Sequence, residues 1–147
     1  MDESISVGSQ TVWFDRQSTL RLYRDTITVP GADSCGCVYC RNFAVQRQTI
    51  YPQEFCTLLG RLGIDARKEW EAFDLDFGST RPQKHLYGGW FLFCGEMTEP
   101  SDKSPEAEPF SFCFTTKFPN GSLPQKQKIC AVEFVAEIPW VLPESPD

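Results

Sequence analysis

Apolar and polar residues alternate along two segments in the last third of the chain. In Phe110–Phe118 the residues at alternate positions put aromatic rings on one face, and Lys128–Ile138 alternates in the same way. A period of two residues is typical of a β-strand that buries one face. A turn between the two segments is favoured by Pro119, Asn120 and Gly121. The pattern therefore predicts an antiparallel hairpin.

A helical period of three to four residues appears near the middle of the chain. One apolar stripe is formed at positions i, i+3, i+4 and i+7 by Phe55, Leu58, Leu59 and Leu62. The stripe predicts a helix over Pro52–Leu62, with Gly63 suited to its C-terminal end. A second helix is predicted from about Gly36 to Gln48, where Ser34 stands as an N-cap residue.

Four further segments read as strands because apolar and polar residues alternate in them or because they are rich in aromatic or β-branched residues. They are Thr11–Phe14, Leu20–Val29, Trp70–Phe77 and Leu86–Gly95. In the last of these, Gly88 and Gly89 indicate either a bulge or a close backbone approach. Because both of its faces are apolar, it is predicted to be a central strand covered on both sides.

The order of these elements predicts an α+β fold with a mainly antiparallel sheet and two short helices that follow the second strand. Residues 1–147 are interpreted as a single domain. Residues 1–10 and 139–147 are expected to be flexible tails. The acidic segment 96–109 contains three prolines and is interpreted as a solvated loop, and Gly78–Lys84 is interpreted as a turn.

The net charge of −6 is unevenly distributed. Residues 1–68 carry eight Lys and Arg against seven Asp and Glu, a net +1, while residues 69–147 carry six against thirteen, a net −7. An acidic half argues against nucleic acid binding and is compatible with a basic protein partner, or it simply favours solubility. No apolar stretch approaches the roughly 20 residues of a transmembrane helix, and no signal peptide is evident, so we expect a cytoplasmic protein without membrane contact.

Three cysteines fall within six residues, at Cys35, Cys37 and Cys40. Thiolates at such spacing are metal ligands or nucleophiles, and a structural zinc site needs four ligands. The fourth candidates are Cys56, Cys94 and His85, and zinc is the cofactor that this set would hold. The alternatives left open are that the three residues are small apolar core residues or that they serve redox sensing.

Two other groups of residues are weaker candidates for a functional site. His85 with Cys40 or Cys94 would form a nucleophile pair, but no third residue that orients the histidine is evident, so catalysis is not favoured. The carboxylates that cluster before and within the third predicted strand are interpreted as a solvated face rather than a cation site. They are Glu69, Glu71, Asp74 and Asp76.

The run Cys35–Phe43, then Leu62–Asp65, then Tyr87–Trp90 leading to Gly95 and Glu96, resembles a group of small bacterial proteins with no assigned activity. The resemblance covers roughly 60 residues and implies a bacterial cytosolic protein without naming a substrate. It draws attention to Asn42, Tyr87 and Trp90, and the Asn42 amide is a candidate to bond backbone groups where helix and strand meet.

The sequence favours a non-enzymatic domain that acts by protein interaction and carries a reduced, structural thiol cluster. The alternative is a zinc-binding or thiol-based enzyme or sensor that uses Cys35, Cys37 and Cys40. A third hypothesis, from size and acidity alone, is an immunity-type inhibitor.

Overall fold

The computed structural model describes residues 3–75, 84–100, 105, 109–119, 123 and 128–144. Its strands are β1 (Glu3–Val7), β2 (Gln10–Phe14), β3 (Glu71–Asp74), β4 (Lys84–Met97), β5 (Phe110–Thr115) and β6 (Ile129–Pro139). Its helices are α1 (Arg16–Asp25), α2 (Val38–Ala44), α3 (Arg47–Ile50) and α4 (Gln53–Leu62), with a 3-10 helix over Gly31–Ser34.

The strands form one antiparallel sheet in the order β1-β2-β4-β6-β5. One edge of β4 pairs with β6 along almost its whole length. The other edge pairs with β3 near its beginning and with β2 near its end. The predicted α+β class, the single domain and the mainly antiparallel sheet are confirmed, with β4 as the central strand.

Helix α1 covers the part of the β4 edge that lies between β3 and β2. The Tyr23 hydroxyl donates to the Leu92 carbonyl at 2.7 Å and accepts from the Leu92 N–H at 3.0 Å. The Cys94 N–H donates to Thr19 Oγ1 at 2.9 Å, and the Asp15 N–H donates to the Cys94 carbonyl at 3.0 Å. The Tyr23 and Thr19 side chains and the N–H of the N-cap residue Asp15 thus satisfy backbone groups that would otherwise be buried without partners.

The predicted strand Leu20–Val29 is wrong, because most of this segment belongs to α1. The buried residues Thr19, Leu22 and Tyr23 follow the helical period. The Asp15 side chain caps the helix by accepting from the Ser18 N–H. The N-cap and the helical spacing of the buried residues therefore determine the structure of this segment, and the partial alternation after Leu20 does not.

The other strands and helices lie close to the predicted ones. The hairpin is confirmed as β5 and β6, with Phe112 opposite Phe134, and α4 ends at Gly63 in the left-handed conformation. The predicted helix from Gly36 to Gln48 is shorter, because the chain leaves helical geometry at Gln46 and then forms α3. The described part of the chain thus contains four α-helices and a 3-10 helix, not two helices.

The predicted N-terminal tail is wrong, since β1 pairs with β2 over five residues. Glu96 and Met97 belong to β4 rather than to the loop predicted over 96–109. At the other end, residue 139 closes β6 and residues 140–144 lie against α2. The predicted turn at 78–84 falls outside the described residues, except for Lys84, which begins β4.

The core lies between the sheet and the helices and is dominated by aromatic rings. Phe134 on β6 is completely buried, and its ring contacts those of five other residues. They are Phe43, Tyr51, Phe55, Phe91 and Phe110. The ring also packs over Gly89 on the neighbouring strand, where a Cβ atom would stand 2.6 Å from it. The glycine pair therefore marks a close approach, and the strand pairing continues through it without a bulge.

The sheet curls until the outer edge of β5 meets the beginning of β2. The Gln10 side chain donates to the Phe114 carbonyl at 2.8 Å and accepts from the Phe114 N–H at 3.0 Å. A side-chain amide thus pairs with β5 as a further strand would. Neither α1 nor α4 exceeds ten residues, and among the described helices none has the length and apolar character needed to cross a membrane.

Candidate metal centre

The three clustered cysteines converge immediately before and within α2. Their sulfur atoms all lie within 4.8 Å of one another, close enough to hold a metal ion. Cys35 and Cys37 are exposed and Cys40 is buried. Cys37 is the N-cap of α2, and its sulfur accepts from the Cys40 N–H at 3.4 Å. The convergence is therefore built by the helix start itself, which turns the chain back so that Cys40 lies beside Cys37.

The environments of the thiols differ. The pKa of Cys35 lies below its usual value, because the Cys37 backbone N–H bonds to its sulfur and the Cys37 and Cys40 thiols do the same. The pKa of Cys40 is raised, because burial disfavours its thiolate and because the neighbouring Cys37 and Cys35 sulfurs favour the protonated form. The site thus joins a thiol whose pKa is lowered to a thiol whose pKa is raised, and a metal ion would displace the proton of the latter on binding.

The described part of the chain adds no fourth His, Cys, Asp or Glu to this group. Cys56 lies on α4, where its sulfur is 3.9 Å from the Tyr51 carbonyl oxygen. Cys94 lies on β4 beneath α1. The three predicted ligands of the run come together, and the predicted fourth ligands lie elsewhere.

His85 is enclosed by aromatic rings rather than by thiols. Its side chain is only 3% exposed, and neither ring nitrogen has a hydrogen-bond partner among the described residues. The imidazole centroid lies 6.3 Å from that of Tyr39 and 5.0 Å from that of Trp140. No hydrogen bond joins it to Cys40 or Cys94, so the considered nucleophile pair is not formed in this structure.

No family model, curated protein or solved structure matches this chain. The resemblance to a group of bacterial proteins therefore stays a prediction, as do the protein partner and the inhibitor hypothesis.

Asn42 joins α2 to the end of β6. It is completely buried, and its amide nitrogen donates to the Pro139 carbonyl at 3.1 Å and to the Tyr87 hydroxyl at 3.4 Å. Its amide oxygen accepts from the Val141 N–H at 3.0 Å. The proposed bonds from Asn42 to backbone groups at a helix–strand junction are thus present.

Tyr87 on β4 also holds α2 in place. Its hydroxyl donates to the Tyr39 carbonyl at 2.8 Å, one residue before Cys40. Burial raises the pKa of this phenol, so it stays protonated and remains a donor. Tyr87 and Asn42 together hold the helix that presents Cys40.

Replacing Asn42 by alanine is expected to lower the free energy of unfolding by about 2 kcal/mol, because buried polar groups lose their partners. Urea denaturation followed by circular dichroism measures the loss. Gln46→Ala is the control, since its half-buried side chain also donates to the Pro139 carbonyl, but this bond is exposed and water can replace it. Equal effects of the two variants would contradict a special role for the buried amide.

Trp90 and the carboxylates do not form part of the metal centre. The Trp90 ring packs against Phe73 at 5.1 Å between centroids. Glu71 is exposed, as expected for a solvated face, and Asp76 lies outside the described residues. Glu69, in contrast, is completely buried, so its assignment to a solvated face is wrong.

The Glu69 carboxylate accepts a bidentate pair of hydrogen bonds from the Arg47 guanidinium. The Arg47 Nε donates to Oε1 at 2.7 Å and Nη2 donates to Oε2 at 3.1 Å, while the Ala32 N–H reaches Oε2 at 2.9 Å. Arg47 also pairs with the exposed Asp33 at 2.9 Å. The buried pair ties α3 and the 3-10 helix to the segment before β3, and thereby anchors the loop that leads to Cys35.

Proposed function

We propose that this chain binds a thiophilic metal ion through the thiolates of Cys35, Cys37 and Cys40. The supporting observation is the convergence of the three sulfur atoms within 4.8 Å. Metal–sulfur bonds of about 2.3 Å require sulfurs about 3.8 Å apart in a tetrahedral site, which lies inside that limit. In this proposal the site binds the ion and does not catalyse a reaction, because among the described residues no histidine or carboxylate joins the three thiols.

The surroundings of the cluster also favour a metal site over three unrelated core cysteines. Two of the three side chains are exposed, whereas a cysteine that only fills space in a core is buried. The Cys40 backbone N–H donates to the Cys37 sulfur at 3.4 Å, and hydrogen bonding from the Cys37 backbone lowers the pKa of Cys35. Such donors stabilise thiolates, the form in which cysteine binds metals.

The test is a titration of the reduced, metal-free full chain with Co²⁺ and Zn²⁺. We expect one ion per chain and thiolate-to-cobalt charge-transfer absorption. Cys37→Ser is expected to weaken binding at least about 100-fold, since loss of a direct ligand exceeds the effect of losing a supporting contact. Cys113→Ser on β5 is the matched control and should bind as the wild type does. Absence of binding by the wild type, or equal binding by Cys37→Ser, would refute the proposal.

A further inference from the structure

Within the described part of the chain, three ligand atoms come together at the site. All seven cysteines and the single histidine of the sequence lie among the described residues, so each alternative ligand of these two types can be located. Cys130 donates to the Gly95 carbonyl at 3.2 Å, and Cys113 lies on β5. Cys56 and Cys94 are placed on α4 and on β4. The folded chain therefore offers the ion three thiolates in one place.

The histidine is held away from the thiolates by aromatic packing. Tyr39 and Trp140 each contact the His85 ring, and their own centroids are 5.7 Å apart in an edge-to-face arrangement. Trp140 is fixed in turn by a bond from its Nε1 to the Glu144 carbonyl at 2.8 Å. Moving the imidazole to the thiolates would disrupt this set of rings.

A three-thiolate site does not satisfy all metals equally. Zinc in structural sites takes four protein ligands, and here it would have to complete its shell with water. Soft thiolates also select copper(I). A trigonal ion with bonds of about 2.3 Å needs sulfurs about 4.0 Å apart, which the observed limit of 4.8 Å admits.

We propose that the site takes a monovalent, thiophilic ion of the copper(I) class, bound by Cys35, Cys37 and Cys40 in a three-coordinate arrangement. This inference rests on the proposed function and specifies its ligand. Exposure of Cys35 and Cys37 leaves two sulfurs accessible to a donor or acceptor of the ion, while the buried Cys40 supplies the third bond from inside. No electron transfer is involved, and the thiol protons leave to solvent as the ion binds.

The experiment loads the reduced full chain with copper(I) under anaerobic conditions, in competition with a chromophoric copper(I) chelator. X-ray absorption is expected to give one copper per chain with three sulfur neighbours and no nitrogen or oxygen neighbour. Excess Zn²⁺ is expected to leave the bound copper in place. Cys40→Ser is expected to weaken copper binding at least about 100-fold, because the third bond comes from the buried thiol.

The matched control is His85→Leu, which keeps an apolar side chain in the ring packing and is checked for folding by circular dichroism. It should bind copper(I) within about twofold of the wild type, as expected for a side chain that makes no bond to the ion. Two-coordinate copper that is unaffected by Cys40→Ser would overturn the three-coordinate site. The three-coordinate copper(I) site would also be overturned if the protein bound four-coordinate zinc that copper does not displace, or if His85→Leu lost binding. Either result would leave the proposed function standing. If neither copper nor zinc binds, the proposed function itself fails.

Discussion

Replacing Glu69 by alanine is expected to lower the free energy of unfolding by about 3–5 kcal/mol, the usual cost of removing one partner from a buried ion pair. The carboxylate is fully buried and accepts three hydrogen bonds, two from Arg47 and one from the Ala32 N–H. Without it, the guanidinium loses its buried carboxylate partner and keeps the ion pair with the exposed Asp33, while the buried Ala32 N–H loses its acceptor. Urea denaturation of both proteins at neutral pH measures the difference.

Asp33→Ala is the matched control for this variant. It removes the other carboxylate that contacts Arg47, but that carboxylate is exposed, so we expect a loss of no more than about 1 kcal/mol. A Glu69→Ala protein that unfolds at the same urea concentration as Asp33→Ala would contradict the ascribed role of burial.

Replacing Phe134 by alanine is expected to lower the free energy of unfolding by about 3–5 kcal/mol, because it removes a large buried ring and leaves a cavity. Phe134 is the residue on which rings from α2, α4 and both neighbouring strands converge. The gap cannot close easily, since the opposite position on β4 is Gly89, which has no side chain to fill it. A thermal melt followed by circular dichroism is expected to show a large fall in Tm relative to the wild type.

Phe112→Ala makes the same chemical change at the position directly across from Phe134 on β5. Its ring is only half buried and contacts those of Phe55 and Phe114. We expect Phe112→Ala to lower the free energy of unfolding clearly less than Phe134→Ala does, because the half-buried ring contributes less buried apolar surface. Equal costs at the two positions would show that the ring cluster is not centred on β6.

Strict periodicity made much of the fold predictable. The hairpin and α4 each follow one period without interruption, and both are found close to the predicted residues. Helix α1 was missed because Leu20 and Leu22 alternate with arginines, while the signals that decide it, Asp15 as a cap and a buried Thr19, are polar. A threonine that is buried and bonds to a strand edge cannot be told from an exposed threonine in a single sequence.

For the site, local spacing predicted the convergence of Cys35, Cys37 and Cys40, since the first turn of α2 brings Cys40 beside its N-cap Cys37 and Cys35 lies only two residues earlier. The predicted fourth ligands depended on contacts between distant segments, which spacing cannot supply. Glu69 was misassigned for the same reason, because its partner Arg47 is 22 residues away and becomes its neighbour only in the folded chain.

The bond between Gln10 and Phe114 bears on how these molecules behave at high concentration. The outer edge of a sheet presents unpaired N–H and carbonyl groups to which a strand of another molecule can add, and such addition leads to aggregation. At Phe114 both groups are already taken by the Gln10 amide. The Gln10 side chain thus blocks intermolecular strand addition at this point of β5. The apolar, aromatic strands of the β5–β6 hairpin would otherwise favour such addition.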